Sequence, residues 1–324
     1  MNFFKLSPLA AATLLTAAAF TAIAQPNPSK LVALNVVALD STGKPVPDLT
    51  ASDISIFDNN ERQKIVNLRL NHTDGPHALV ILFDLMNSNQ VARGAVSEAL
   101  KTSVAHLPPA DHLYLYLMVE DGSLYPVHGL DSPDSDASWT QHAGALLDAA
   151  MNKVNQLKPE EIRTLSPARF NTTVQSLGEM GGKMAAFTGR KELLWITYGI
   201  PSSIHYQERG WFDGTPILRQ LGARFVQANI AIYTADPGVN LQQGMLNRDS
   251  LDVLTGATGG RTFSTIDLTQ AISQAEADAR TNYTLEYEPS PKNWDGKYHK
   301  LRVSSARKGI RIQSEHGYFA VSGS

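Results

Sequence analysis

Residues 78–88, ALVILFDLMNS, form an unbroken apolar run that ends on an acid and passes directly into polar residues. A strand buried on both faces needs such a run, because helices cover both sides of a mainly parallel sheet and leave no position facing water. Ligands of such sheets gather at the carboxyl ends of the strands, which is where this run delivers Asp84. The chain must then supply further buried strands, helices to cover them, and a surface around that carboxylate.

Those partners can be read from residue 77 onward. Helical stretches at 90–106, 139–157, 167–187, 216–227, 251–255 and 267–280 alternate with apolar strands at 112–119, 124–128, 193–197 and 230–234, and Pro108-Pro109 stops the first helix. Such alternation predicts an α/β fold, a doubly wound, mainly parallel sheet with right-handed crossovers. Both ends of the chain read differently. Short strands at 31–39, 53–57 and 64–70 precede the α/β part, and strands at 283–287, 298–303 and 310–313 follow it, separated by turn residues such as Asp58-Asn59-Asn60 and Lys308-Gly309. Neither group can bury a core alone, so head and tail are expected to pair into one small β-sandwich that carries the α/β domain as an insertion.

The first residues belong to no fold. Lys5, the apolar stretch 9–20 and Ala22-Ile23-Ala24 have the order of an export signal, and the stretch is too short to span a bilayer comfortably. The expected organisation is a signal peptide at 1–24, an N-terminal β module at 25–72, the α/β domain at 73–281 and C-terminal strands at 282–324. The mature protein is expected in the periplasm or outside the cell, with no membrane span. A formal charge of −3, from 28 basic and 31 acidic residues, offers nucleic acid no broad attraction. With no cysteine, thiol catalysis, thiolate metal sites and disulfides are excluded.

Enzyme motifs are missing. Residues 178–184, GEMGGKM, have the wrong spacing for a phosphate loop, with Met184 where Ser or Thr belongs, and they lie in a helical pattern. There is no Gly-x-Ser-x-Gly and no His-Glu-x-x-His, and His299 and His316 read as surface residues. Gly259-Gly260 reads as a left-handed helix terminus. The sequons at Asn71, Asn171 and Asn282 are weak patterns. A non-enzymatic protein without a cofactor is expected.

The order of elements, the strand ending in Asp84, Gly189-Arg190-Lys191 before the strand at 193–197, and Thr258-Gly259-Gly260 resemble the von Willebrand factor A-related family of acidobacterial type. So do the closing Tyr283-x-Leu285-x-Tyr287-x-Pro289, Gly296-Lys297-Tyr298-His299-Lys300 and Gly317-Tyr318-Phe319, and the opening Val36-Val37-x-Leu39-Asp40-x-x-Gly43-Lys44-Pro45-Val46 with Leu49-Thr50-x-x-Asp53. The resemblance covers nearly all of the mature chain. It implies a secreted protein with a von Willebrand A-like domain and a role in binding.

The resemblance also implies where a metal-ion-dependent adhesion site would lie. Its first loop, Asp-x-Ser-x-Ser, corresponds here to Asp84-Leu85-Met86-Asn87-Ser88, with a thioether at the first serine. The third loop reads Thr197-Tyr198-Gly199 and lacks the family's aspartate. Asp84, Ser88 and a second-loop threonine, Thr172 or its neighbour Thr173, remain as ligands for Mg²⁺, and this set is expected to be degenerate. Asp84 is then expected to accept hydrogen bonds from the start of the following helix, near residues 88–90, and from Ser88. The favoured reading is an exported binding or scaffold protein that meets an unidentified protein or surface partner through Asn87, Tyr198 and the aromatic loop 206–212, with Tyr206, Trp211 and Phe212. The alternative is a Mg²⁺-dependent adhesion domain in which Asn87 or Asp236 replaces the lost ligand.

Overall fold

The structure, a computed structural model, describes residues 31–73, 77–88, 90–107, 112–132, 138–156, 166–206, 210–237, 241–290 and 294–321. The expected export signal lies outside them. At the head of the chain stand β1 (Val32–Leu39), β2 (Ile54–Asp58), β3 (Glu61–Gln63) and β4 (Ile65–His72). The middle runs β5 (Ala78–Asp84), α1 (Gln90–Ala105), β6 (Leu113–Met118), β7 (Leu124–His128), α2 (Trp139–Gln156), α3 (Ser166–Met184) and β8 (Lys191–Ile196). It continues through β9 (Ser203–Tyr206), β10 (Gly210–Asp213), α4 (Thr215–Gln227), β11 (Ile230–Asp236), α5 (Leu241–Thr258), β12 (Thr262–Ser264) and α6 (Leu268–Arg280). The tail supplies β13 (Thr281–Tyr287), β14 (Tyr298–Ser305), β15 (Arg311–Ser314) and β16 (Gly317–Phe319).

The protein is mixed α/β. A six-stranded sheet has the order β12-β11-β8-β5-β6-β7, and its strands are parallel except for β7, which turns back along β6. Every residue of β5, β6, β8 and β11 is buried, while the edge strand β7 has no fully buried position. Side chains alternate along β5, so Leu79, Ile81 and Phe83 face one way and Val80 and Leu82 the other. The first set packs with Leu100 of α1, Leu147 of α2 and Ile272 of α6. The second set packs with Leu177 of α3, Phe225 of α4 and Leu254 of α5.

Head and tail strands pair with each other. One four-stranded sheet is ordered β15-β1-β13-β4 and another β16-β14-β2-β3, so each mixes both ends of the chain. Val36 and Tyr283 of the first sheet and Ile56 and Leu301 of the second share one apolar cluster. At its edge Asp58, fully buried, accepts the hydroxyls of Tyr287 and Tyr318 at 3.1 and 3.0 Å and lies 2.8 Å from His299 Nδ1. His299, read from the sequence as a surface residue, is therefore buried: an acid at a strand end supplies the partner that its ring requires.

The short strands β3, β12 and β16 were not foreseen in the sequence, and two further regions differ from its reading. The helix expected at 251–255 begins at Leu241; its first half, LQQGMLNRDS, has too few apolar residues to show a helical period. The expected loop at 206–212 contains β9 and β10, which form an antiparallel hairpin with Gly210 at φ 77°. The glycines after α5 behave as expected: Gly259 adopts φ 72°, and a Cβ on Gly260 would lie 1.8 Å from the carbonyl oxygen of Ile232. Gly260→Ala should therefore force α5 and β11 apart and cost more than about 2 kcal/mol, measured by urea denaturation.

A buried charge network joins the α/β part to the flanking strands. Arg190 Nε meets Glu192 Oε1 at 2.8 Å on β8, and Arg261 meets Asp278 of α6 at 3.2 Å. The Tyr233 hydroxyl of β11 donates to Asp278 at 3.1 Å and accepts from Gln313 Nε2 of β15 at 3.3 Å. Next to it Glu315 accepts the backbone N–H of Asn35 on β1. Burial is the largest cause acting on both glutamates, pushing Glu192 up to about 7 and Glu315 up to about 6. Acids that hold protons more tightly when folded contribute stability that is full below about pH 4.5 and is lost as the pH rises through 6 and 7. Unfolding free energy should thus fall by about 4–5 kcal/mol between pH 4.5 and pH 8 from these groups, and Glu192→Gln should remove most of the Glu192 part. Chemical denaturation across that pH range measures it.

Candidate functional site

Chain order reverses between β5 and β8, neighbours in the sheet whose chains continue toward opposite edges. The crevice at the carboxyl ends of two such strands is the usual ligand position of an open α/β sheet. Asp84 ends β5 here, and the register that sets Phe83 opposite Ile196 brings Thr197 beside it. Asp84 is completely buried, and no basic side chain pairs with it among the described residues.

Hydrogen bonds take the place of a counter-charge. Asp84 Oδ1 accepts the backbone N–H of Asn87 at 2.9 Å. Oδ2 accepts Asn87 Nδ2 at 2.7 Å, Thr197 Oγ1 at 2.8 Å and Trp195 Nε1 at 3.1 Å. Burial still holds the carboxyl above its ordinary range, opposed by the bonds from Asn87, Thr197 and Trp195. Ser88, expected among the donors, instead turns its Oγ back to the Leu85 carbonyl at 3.2 Å, and residue 89 lies outside the described residues. That carbonyl also accepts Arg93 Nη2 at 2.6 Å, and Arg93 is held by Glu120 at 2.7 Å, so the turn after β5 is clamped from α1.

Of the two candidate threonines, both inside α3 and not in a loop, Thr173 reaches this cluster. Asn87 Nδ2 donates to Thr173 Oγ1 at 3.0 Å as well as to Asp84, so one amide nitrogen bridges a carboxylate and a hydroxyl. Thr172, one residue earlier on α3, faces away: its methyl would lie 2.3 Å from a Cβ on Gly122. A helix turns by about 100° per residue, so adjacent threonines cannot both face one site. Met86 is buried in the apolar cluster beneath, and Tyr198 occupies the third-loop aspartate's position.

This donor set does not fit Mg²⁺. The ion needs oxygen ligands in near-octahedral array, whereas the space between Asp84 and Thr173 is bridged by the Asn87 amide. Asp236 ends β11 nearby and is nearly buried. Its charge, together with burial as the larger cause, pushes the Tyr198 hydroxyl up to about 12. That hydroxyl is enclosed and without a hydrogen-bond partner.

The proposed partner residues fall into unlike places. Tyr198 is only 5% exposed, so it offers no surface. Asn87 is half-buried. Tyr206 lies in β9 opposite Gly210 of β10, and Phe212 is half-buried with its ring 5.6 Å from Phe170, one turn before Thr173 on α3. Trp211, between them, is 73% exposed. The hairpin is thus anchored to the same helix as the Asp84 cluster and holds out one indole. The sequence reading missed Trp195, Thr197 and Arg93, although a tryptophan in an otherwise aliphatic strand signals that its N–H must find an acceptor.

No protein-family model matches the chain, and no curated protein matches it. Among solved structures it is similar to proximal thread matrix protein 1 from the mussel byssus, at 12% identity and a TM-score of 0.38, over 67% of this chain and 49% of that one. It is also similar to the human COPII-coat protein Sec24c, at 13% identity and a TM-score of 0.35, over 76% of this chain and 44% of that one. The chain spans about half the length of these structures. Likeness at that level carries no functional argument, and the site has to be judged on its own geometry.

The two threonines separate cleanly by mutation. Thr173→Val removes an acceptor inside the cluster and should cost about 1–2 kcal/mol, while Thr172→Val should stay within about 0.5 kcal/mol. Thermal melts of the pair decide it.

Proposed function

We propose that the chain is an exported, non-enzymatic binding or scaffold protein of the von Willebrand factor A-related kind, meeting a protein or surface partner at the edge where β5 and β8 end. The observation that carries this reading is the Asn87 amide, which bridges Asp84 and Thr173 at 2.7 and 3.0 Å and completes the edge with no ion. Three helices packed on each face of the six-stranded sheet support a doubly wound, A-like domain. Apolar clustering between the two four-stranded sheets supports a sandwich built from both ends of the chain. Export rests on residues 1–24, and among the described residues no helix is long and apolar enough to cross a membrane.

Trp211 is the contact residue of this reading. An exposed indole on a short hairpin, braced by Phe212 against Phe170, gives large apolar area at little entropic cost, as interface anchors do. A second reading, a Mg²⁺-dependent site with an unusual ligand set, draws on one observation: Asn87 Oδ1 is enclosed and has no hydrogen-bond partner. Rotating that amide would turn an oxygen toward Asp84 and Thr173.

Calorimetric titration with Mg²⁺, Mn²⁺ and Ca²⁺ separates the two readings. The expected result is no saturable heat with any of them; saturable binding that Asp84→Ala abolishes would establish the ion-dependent version. In a pull-down from an envelope or secreted fraction, Trp211→Ala should reduce recovery of the partner at least about tenfold, on the scale of an interface hot spot. Unchanged recovery would remove the hairpin from the interface.

A further inference from the structure

A cavity open to solvent on one side lies where the α/β part meets the flanking strands, at the other end of the six-stranded sheet from Asp84. Its volume is about 300 Å³. The start of β1 forms one side, the last turns of α4 and α5 another, and β14 and β16 close it. Trp294, Tyr298, Tyr318 and Phe319 give it aromatic walls, and Ala223 and Val226 of α4 add aliphatic surface. Strands and helices fix these residues from two sides, so the space is formed before anything enters it.

Among the described residues two charged side chains line the cavity, and they are not equivalent. Glu315 is buried and committed, its oxygens 3.1 and 3.2 Å from the backbone nitrogen of Asn35. Arg219 has no such commitment. Its guanidinium carbon lies 4.5 Å from the centre of the Tyr298 ring, and among the described residues it makes no ion pair. Asp213, which feels its charge, is bonded to Thr215. A stacked guanidinium keeps its N–H edges available for a planar anion, and an arginine is the side chain best shaped to take a carboxylate.

An apolar, aromatic cavity with one uncommitted cation at its side matches a molecule of the reverse design. We infer that this cavity binds a small carboxylate amphiphile, with its aliphatic or aryl body against the aromatic walls and its head group on Arg219. The volume stands at the small end of ligand sites, which fits a medium-chain acid and excludes a two-chain lipid. A single positive charge, with the Glu315 carboxylate on the same lining, favours a monoanion over a phosphate dianion. The site is independent of the Asp84 edge.

Calorimetry of the full mature chain with octanoate and with 1-octanol tests the inference. Octanoate should bind saturably, one per chain, at least tenfold more tightly than the alcohol. Arg219→Gln should weaken octanoate at least tenfold and leave octanol within twofold, while Arg219→Lys should recover part of the loss. Ala223→Trp fills the cavity and should abolish both. Equal affinity for acid and alcohol, full octanoate affinity in Arg219→Gln, binding that survives Ala223→Trp, or no saturable heat with octanoate would each overturn it. A circular dichroism melt of each variant confirms that the fold is intact, and Arg219→Lys carries the test if Arg219→Gln does not fold.

Discussion

An acid at the end of a strand buried on both faces has to be satisfied by the protein itself. Asp84 is in that position, and the surrounding structure follows from it. Taking an isolated carboxylate out of water costs far more than any single hydrogen bond returns, so several donors must converge on it. They come from the turn that follows β5, from the indole of Trp195 and from the hydroxyl of Thr197. Each donor fixes an element: the turn sets where α1 begins, and β8 must hold its register against β5. Through Asn87 the same carboxylate orients α3 by way of Thr173. The β9–β10 hairpin rests on that helix, so the exposed Trp211 is positioned by a chain of contacts that starts at Asp84.

The far end of the sheet solves a related problem with charges in place of dipoles. Glu192, Asp278 and Glu315 are enclosed with Arg190, Lys191 and Arg261. Burial first, and then the charge of Asp278, hold the Glu192 carboxyl up to about 7 against the opposing pull of Arg190. This network, together with the ladder of β4 on β13, ties the α/β part to strands from both ends of the chain. Because β4 leads into β5 and α6 leads into β13, the inserted part enters and leaves at neighbouring points. Ends held together in this way limit the rotation that a two-module protein would otherwise allow.

Much of this was legible in the sequence, and the parts that were not share a cause. Apolar runs gave away β5, β6, β8 and β11, because a strand covered on both faces is mostly apolar; the buried Lys191 and Glu192 that begin β8 fell outside its run. Strand groups too small to stand alone indicated that head and tail need partners, although periodicity could not pair β1 with β13 across the intervening chain. The first half of α5 was invisible because Leu241, Met245 and Leu246 are its only large apolar residues before Leu251 and do not make a sustained apolar face. At the site, position in a motif identified Asp84 and Asn87, but the choice between Thr172 and Thr173 depended on the rotation of α3 about its axis. His299 was misread for a related reason: its partner Asp58 is 241 residues away in sequence.

The Asn87 bridge also bears on how such an edge would work. A cation held by carboxylate and hydroxyl oxygens leaves an open coordination position, so a partner's acid can complete it, and recognition then depends on the ion being present. An amide in the same place has no open position, and both its protons are directed inward, to Asp84 and Thr173. What remains for a partner is shape and apolar area, which point to the hairpin and its indole. Recognition of that kind needs no ion and little rearrangement, since the donors around Asp84 are set when the chain folds. It would also follow the pH only through the stability of the fold, because Asp84 is sealed from solvent and the charges that titrate near neutrality, Glu192 and Glu315, lie at the opposite end of the sheet.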